Sequence, residues 1–87
     1  MKKKTISDIL FKKKVIQVLL SICEKGFSYP LKIANDTKIT YSHILKILND
    51  FRELKLVEFR KEGRKKMVIL TNKGKEICEL VKKIIYS

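Results

Sequence analysis

Ser42, Lys46 and Asn49 recur four and then three positions apart in a segment, 40–54, that contains neither Pro nor Gly. That spacing places them on one face of an α-helix, with Glu53 on the same arc. Their common chemistry is hydrogen bonding: a hydroxyl, an ammonium with three donors, and an amide that both donates and accepts. The opposite arc holds Ile44, Leu48 and Phe51, flanked by Ile47, Leu54 and Tyr41. One side of this helix is therefore core, and the other is available to a polar partner. Shortly after it come Arg60, Lys61, Arg64, Lys65 and Lys66, diluted only by Glu58 and Glu62. Guanidinium and ammonium groups in such numbers suit an anionic partner, phosphate above all.

The elements that position these residues can be read from the punctuation. Ser7-Asp8 can cap a first helix that runs to about residue 24, with Val15, Ile16, Leu19, Leu20 and Cys23 as its apolar stripe, and Lys25-Gly26 ends it. Pro30 is tolerated only in the first turn of a helix, so a second helix is expected from about 29 to 36, turning Leu31, Ile33 and Ala34 inward or sideways. Thr40 is a good N-cap for the third helix, which continues to about 54. The runs 57–60 and 67–70 are rich in β-formers, and 61–66 between them reads as a basic hairpin tip. Thr71 then caps a last helix whose Ile77, Leu80, Val81, Ile84 and Ile85 follow helical spacing. The class is mainly α with a small β-hairpin, in the order helix, helix, turn, helix, strand, strand, helix.

Composition narrows the partner. Eighty-seven residues make one domain (1–87), and a domain of that size buries only roughly 60–65% of its unfolded surface, which leaves no room for a large ligand cavity beside the core. The formal charge is +12, from 21 Lys and Arg against 9 Asp and Glu. That exceeds the roughly 2–8 units usual for a small soluble domain, and self-repulsion of this size points to a polyanion, nucleic acid before an acidic membrane surface. No apolar run approaches the ~18–20 residues that span a bilayer. Met1-Lys2-Lys3-Lys4 is similar to the charged start of a secretion signal, but Lys12-Lys13-Lys14 interrupts the apolar segment behind it and no small-residue cleavage site follows. A cytoplasmic protein of prokaryotic, archaeal or viral origin is expected. Cys23 and Cys78 each sit in an apolar stripe and read as buried small hydrophobes, or as a disulfide if the source is a hyperthermophile.

In this order and spacing, the residues from 29 to 80 resemble the winged helix-turn-helix family, more narrowly the MarR/ArsR-like and archaeal-type regulators. The matches are Ile33-Ala34 in the second helix, Ile39-Thr40 leading into the third, and Leu48 with Phe51 in its core. Leu56-Val57-Glu58 matches the exit into the wing, Gly63-Arg64 its tip, and Leu70-Thr71-Asn72-Lys73-Gly74 the start of the closing helix. Two positions depart from the pattern: Lys38 and Lys55 stand where such proteins usually place glycine, at turns that favour left-handed backbone. The resemblance divides the chain into a helix-turn-helix (29–55), a wing (56–70) and a closing, dimerising helix (71–86).

The resemblance implies double-stranded DNA as partner, with the third helix in the major groove. Base-contact candidates are then Tyr41, Ser42, His43, Lys46 and Asn49; Lys46 can donate to guanine and Asn49 can pair with an adenine edge. Backbone or minor-groove candidates are Lys32, Lys38, Arg60, Lys61, Arg64, Lys65 and Lys66, although a charged hairpin also protects a sheet edge from aggregation. Leu45 borders the two arcs; it packs under the second helix, touches a thymine methyl, or joins a protein interface. Ile6, Ile9, Leu10, Leu80, Val81, Ile84 and Ile85 form an apolar surplus at the two ends and are the candidates for a homodimer contact, unless both ends fold back on the core of the same monomer.

His43 and the two cysteines give no zinc-like spacing, so no metal is expected. Nor is there a nucleophile–base pair, a Gly-rich phosphate loop or a paired-carboxylate site, so no enzyme, no cofactor and no small-molecule effector is expected. A sequence-specific dimeric regulator, acting as a repressor, is the leading expectation. A winged-helix interaction module in a replication or transcription assembly, and a sequence-neutral DNA-packing protein, are the alternatives.

Overall fold

The computed structural model describes residues 12–86. Within them the chain forms α1 (Lys13–Cys23), β1 (Phe27–Ser28), α2 (Pro30–Thr37), α3 (Tyr41–Glu53), β2 (Val57–Glu62), β3 (Lys65–Leu70) and α4 (Asn72–Ile85). The expected Ser7-Asp8 cap, and Ile6, Ile9 and Leu10, lie outside the described residues.

The helices bury one stripe each. From α3 the core takes Ile44, Ile47, Leu48 and Phe51, as the wheel requires, and from α2 it takes Ile33. Leu31, by contrast, is 64% exposed. In α1 the buried residues are Val15, Val18, Leu19 and Ile22, while Ile16 and Leu20 are only half-buried. This stripe is rotated from the expected one. The sequence of α1 is apolar around a wide arc, so periodicity alone permits either stripe. Packing decides, because α1 touches α2, α3, α4, β1 and β3.

Pro30 occupies the first turn of α2, where its missing N–H is no loss. Lys38 and Lys55 both adopt left-handed backbone, with φ of 61° and 62°. The turns thus keep the geometry that glycine normally supplies, and each lysine accepts a cost of about 1 kcal/mol.

The hairpin is longer and tighter than expected. Its register runs from Val57↔Leu70 to Glu62↔Lys65, which leaves only Gly63 and Arg64 in the turn. Gly63 has φ of 61° and Arg64 is not left-handed, the pattern of a type II′ turn, whose twist matches that of the strands. Most of the basic residues expected at a loose tip are therefore held in strand geometry. A third strand completes an antiparallel sheet of order β1-β3-β2, with Phe27↔Ile69 and Ser28↔Val68 in register. Two residues are too few to show a period, so β1 had no signature in the sequence.

At the start of α4, the Thr71 hydroxyl accepts from the Gly74 N–H at 3.0 Å, satisfying a donor that the helix leaves open. The same hydroxyl donates to the Lys55 carbonyl at 2.6 Å, and the Thr71 N–H donates to the Leu56 carbonyl at 3.0 Å. Gly74 is buried, and a Cβ built on it would lie 2.1 Å from the Leu56 oxygen. Only glycine lets α4 approach the α3–β2 junction this closely.

Cys23 and Cys78 are joined by a disulfide with a Cα separation of 6.0 Å, so of the two readings open in the sequence the disulfide holds and the pair of buried free thiols does not. Cys78 is buried, and Cys23, at the end of α1, is partly buried against the core. The two lie at a distance within the usual disulfide range.

Two stability predictions follow from this packing. The bridge spans a sequence separation of 55 residues, for which loss of chain entropy in the unfolded state gives about 4 kcal/mol, with about 2–4 typical of measured cases. Cys23→Ser should lower the unfolding free energy by that amount in a denaturant titration; a loss too small to resolve would show that the bridge does not form in solution. Gly74→Ala should cost about 3 kcal/mol, since backbone rather than a flexible side chain occupies the space. Thermal unfolding indistinguishable from that of the parent chain would contradict the close approach.

Candidate nucleic-acid interface

Helical periodicity carries Ser42, Lys46 and Asn49 to the exposed side of α3, and all three are solvent-accessible. Tyr41, at the helix entrance, is 49% exposed, and His43 is half-buried. Thr40 holds the N-cap position in extended conformation, but its side chain makes no capping bond. Leu45 is 38% exposed, which does not fit packing under α2 and leaves it on the surface beside Tyr41.

Asn49 is not isolated. Its Oδ1 accepts from Arg52 Nη2 at 2.8 Å, one turn further along the helix. Arginine offers no acceptor, so the atom turned toward it must be the amide oxygen. The Arg52 guanidinium lies 5.3 Å from the centroid of the Phe59 ring, and Lys66 Nζ lies 4.3 Å from the same centroid. Residues of α3, β2 and β3 thus meet around one aromatic ring. Arg52 and Phe59 were absent from the sequence-based candidates. Arg52 could have been found from its three-residue spacing to Asn49. Phe59 could have been found from its alternation with Val57, which marks it as inward-facing.

The wing brings Lys61, Arg64, Lys65 and Lys66 around a notch of about 370 Å³ that also includes Phe59. Strand alternation sends Arg60 to the other face, directly opposite Met67. A larger cleft of about 720 Å³ separates the wing tip from the starts of α2 and α3, lined among others by Tyr29, Leu31, Lys32, Tyr41 and Arg64. Lys65 Nζ sits 5.5 Å from the Tyr29 ring centroid on its rim. Lys32 is paired with Asp36 at 3.1 Å, an exposed contact of small energetic worth. Lys38 is exposed in the turn between α2 and α3. The structure therefore brings the α3 residues and most of the wing cations to adjoining surfaces, and leaves Arg60 outside the notch.

The closing helix presents a second kind of surface. Cys78 is buried, and Ile77 and Val81 pack partly against the core. Leu80, Ile84, Ile85 and Tyr86 are exposed to 55%, 76%, 43% and 71%. Among the described residues, no group of three or more His, Cys, Asp or Glu is placed to hold a metal ion. No helix among them is long and apolar enough to cross a membrane.

No protein-family model matches the chain. An uncharacterized protein of Archaeoglobus fulgidus is 35% identical over 81 residues, spanning 88% of this chain and 85% of its own length. A crystal structure of a protein from the same organism superposes with a TM-score of 0.81 at 35% identity, covering 87% of this chain and 88% of that one. A transcriptional regulator homologue from Pyrococcus horikoshii gives a TM-score of 0.81 at 14% identity, covering 93% and 84%. A MarR mutant from E. coli, complexed with operator DNA, gives 0.77 at 21% identity, covering 91% of this chain but 59% of that one. The chain belongs to the family of the Archaeoglobus fulgidus protein, and its fold is the winged helix-turn-helix of the MarR-like transcriptional regulators.

Proposed function

We propose that this chain is a sequence-specific, double-stranded-DNA-binding transcriptional regulator, a homodimer that represses by occluding a promoter. The observation that carries the reading is the adjacency of two surfaces: the exposed polar face of α3, bearing Ser42, Lys46 and Asn49, and the cationic wing beside it. An α-helix fits the major groove and a hairpin beside it reaches the adjoining backbone and minor groove. The formal charge of +12 and the likeness to a MarR protein held on operator DNA support the same reading.

In this reading Lys46 and Asn49 meet base edges, with Ser42, Tyr41 and His43 near the helix entrance. Arg64, at the two-residue turn, leads the wing toward the minor groove, and Lys32 and Lys38 approach phosphates. The exposed apolar residues Leu80, Ile85 and Tyr86 support α4 as the dimer contact. Two copies related by a two-fold axis present two α3 helices to successive major-groove faces, roughly 34 Å apart or a multiple of that.

If two α3 helices and two wings neutralise about 6–10 phosphates, duplex affinity should fall by roughly 10³–10⁵ between 50 and 200 mM salt. Lys46→Ala should cost about 1–3 kcal/mol on the preferred site and relax the preference at one base pair. Titration of selected and random duplexes across that salt range checks both. A nearly flat salt dependence would sink the DNA-binding reading, and an unchanged preference would mean that the groove face is misassigned.

The dimer is tested by Leu80→Glu combined with Ile85→Glu. The helical circular dichroism should persist, the sedimentation mass should halve, and affinity for a two-half-site duplex should collapse. Sedimentation of the unaltered protein as a monomer at tens of micromolar would overturn the two-fold arrangement.

A further inference from the structure

The hairpin register sorts the charges of the wing by face. Val57↔Leu70, Phe59↔Val68 and Lys61↔Lys66 are opposed pairs at alternate positions, so their side chains share the face that carries the core. Glu58, Arg60 and Glu62 stand on the other face; Lys65, opposed to Glu62 there, also lines the notch from the turn, which Arg60 does not. The inner face thus ends in two lysines set against each other, which share a notch with Phe59. Glu62 lies on the outer side, and Glu58 shares the neighbouring hollow with Arg52 on the other flank of Phe59. Directly opposed like charges destabilise a strand pair. The crowding extends to α3, because Lys66 Nζ and the Arg52 guanidinium lie 4.3 Å and 5.3 Å from one Phe59 ring centroid. The π face attracts each cation but neutralises neither. Arg52 is held there a second time, through the Asn49 Oδ1 at 2.8 Å.

We propose that Arg52, Lys61 and Lys66 form a single phosphate seat, floored by Phe59, for the DNA backbone strand that runs between the groove entered by α3 and the groove reached by the wing tip. The seat rests on the DNA-binding reading above. In that pose the ridge between the two grooves is a sugar–phosphate strand, and the junction of α3 with the wing is the part of the protein that faces it. One phosphodiester brings a negative charge and two free oxygens into the midst of three cations. It relieves their mutual repulsion, with arginine supplying a planar fork and the lysines point charges. Arg60 carries the same charge and is equally exposed to solvent, but it lies on the outer face and takes no part.

The test measures binding of the full chain to a preferred and a random duplex over a range of salt. Arg52→Gln, Lys61→Gln and Lys66→Gln should each weaken both duplexes by a similar factor, roughly tenfold near 0.1 M salt. Each should also make the salt slope shallower by about 1 per half-site. Arg60→Gln should change affinity less than about twofold, since a charge that meets no phosphate releases no counterion. Without DNA, Lys61→Gln should raise the melting temperature by about 2 °C, opposite in sign to its effect on binding. Phe59→Leu keeps an apolar side chain and should weaken both duplexes with the circular dichroism unchanged. If the parent chain binds DNA but Arg60→Gln weakens it as much as Lys61→Gln, the charges act through their summed field and the seat is wrong. If Arg52→Gln alters base preference instead of overall affinity, Arg52 reads a base and the seat is again wrong. Absence of any duplex binding by the parent chain would overturn the DNA-binding reading and the seat together.

Discussion

The peptide carbonyl of Leu56 is the point at which the parts of this fold are locked together. Leu56 is fully buried, it follows a left-handed Lys55, and its oxygen accepts the Thr71 N–H. Three constraints meet at that bond. The end of α3 is turned into β2, the end of β3 is pinned beside it, and α4 starts one residue later. Gly74 is the condition for all of this, because any side chain there would displace the oxygen. A backbone group buried this deeply must have a partner, and Thr71 supplies it while its hydroxyl satisfies Lys55 and Gly74 as well. The orientation of the wing relative to α3 is thus set by main-chain contacts rather than by the charged side chains that cover the outside.

That division separates stability from recognition. The core is drawn from aliphatic residues, Phe51 and Cys78, and among the described residues no buried side-chain nitrogen or oxygen lacks a hydrogen-bond partner. The polar and charged groups of α3 and the wing sit outside this network, so most can change without loss of a core contact. Phe59 is the exception. It is half-buried against the core, and two cations lie near its ring. It therefore belongs to both systems.

Much of the architecture was legible in the sequence because strong local rules agree with one another. Pro30, Thr40 and Thr71 mark helix starts within a residue, and the stripe of α3 is unambiguous because polar residues interrupt it on one side only. Where those rules are weak, the sequence permits more than one arrangement. The helix α1 is apolar around too wide an arc to fix its buried stripe, and β1 is too short for alternation to register. The charged ends of β2 and β3 resembled loop because charge usually signals solvent, whereas backbone pairing with a type II′ turn extends the ladder through them. Most of the candidate site followed from counting along a helix and a hairpin. Arg52 and Phe59 did not, since their contact is made between elements and depends on the angle at which the wing leaves α3. The disulfide lies between these cases: each cysteine stands in an apolar stripe of the sequence, but their mutual approach is a property of the packed helices.

The sulfur bridge has a mechanical consequence. It joins the last residue of α1 to the middle of α4, so residues 24–77 lie within a covalently closed loop. That loop contains α2, α3 and the whole wing, while most of α1 and the second half of α4 stay outside it. Tension applied between the two ends of the chain passes from helix to helix across the sulfurs and bypasses the loop. The exposed apolar end of α4 can therefore be pulled, twisted or repacked without drawing out the chain between the two sulfurs, and with it the polar face of α3 and the wing.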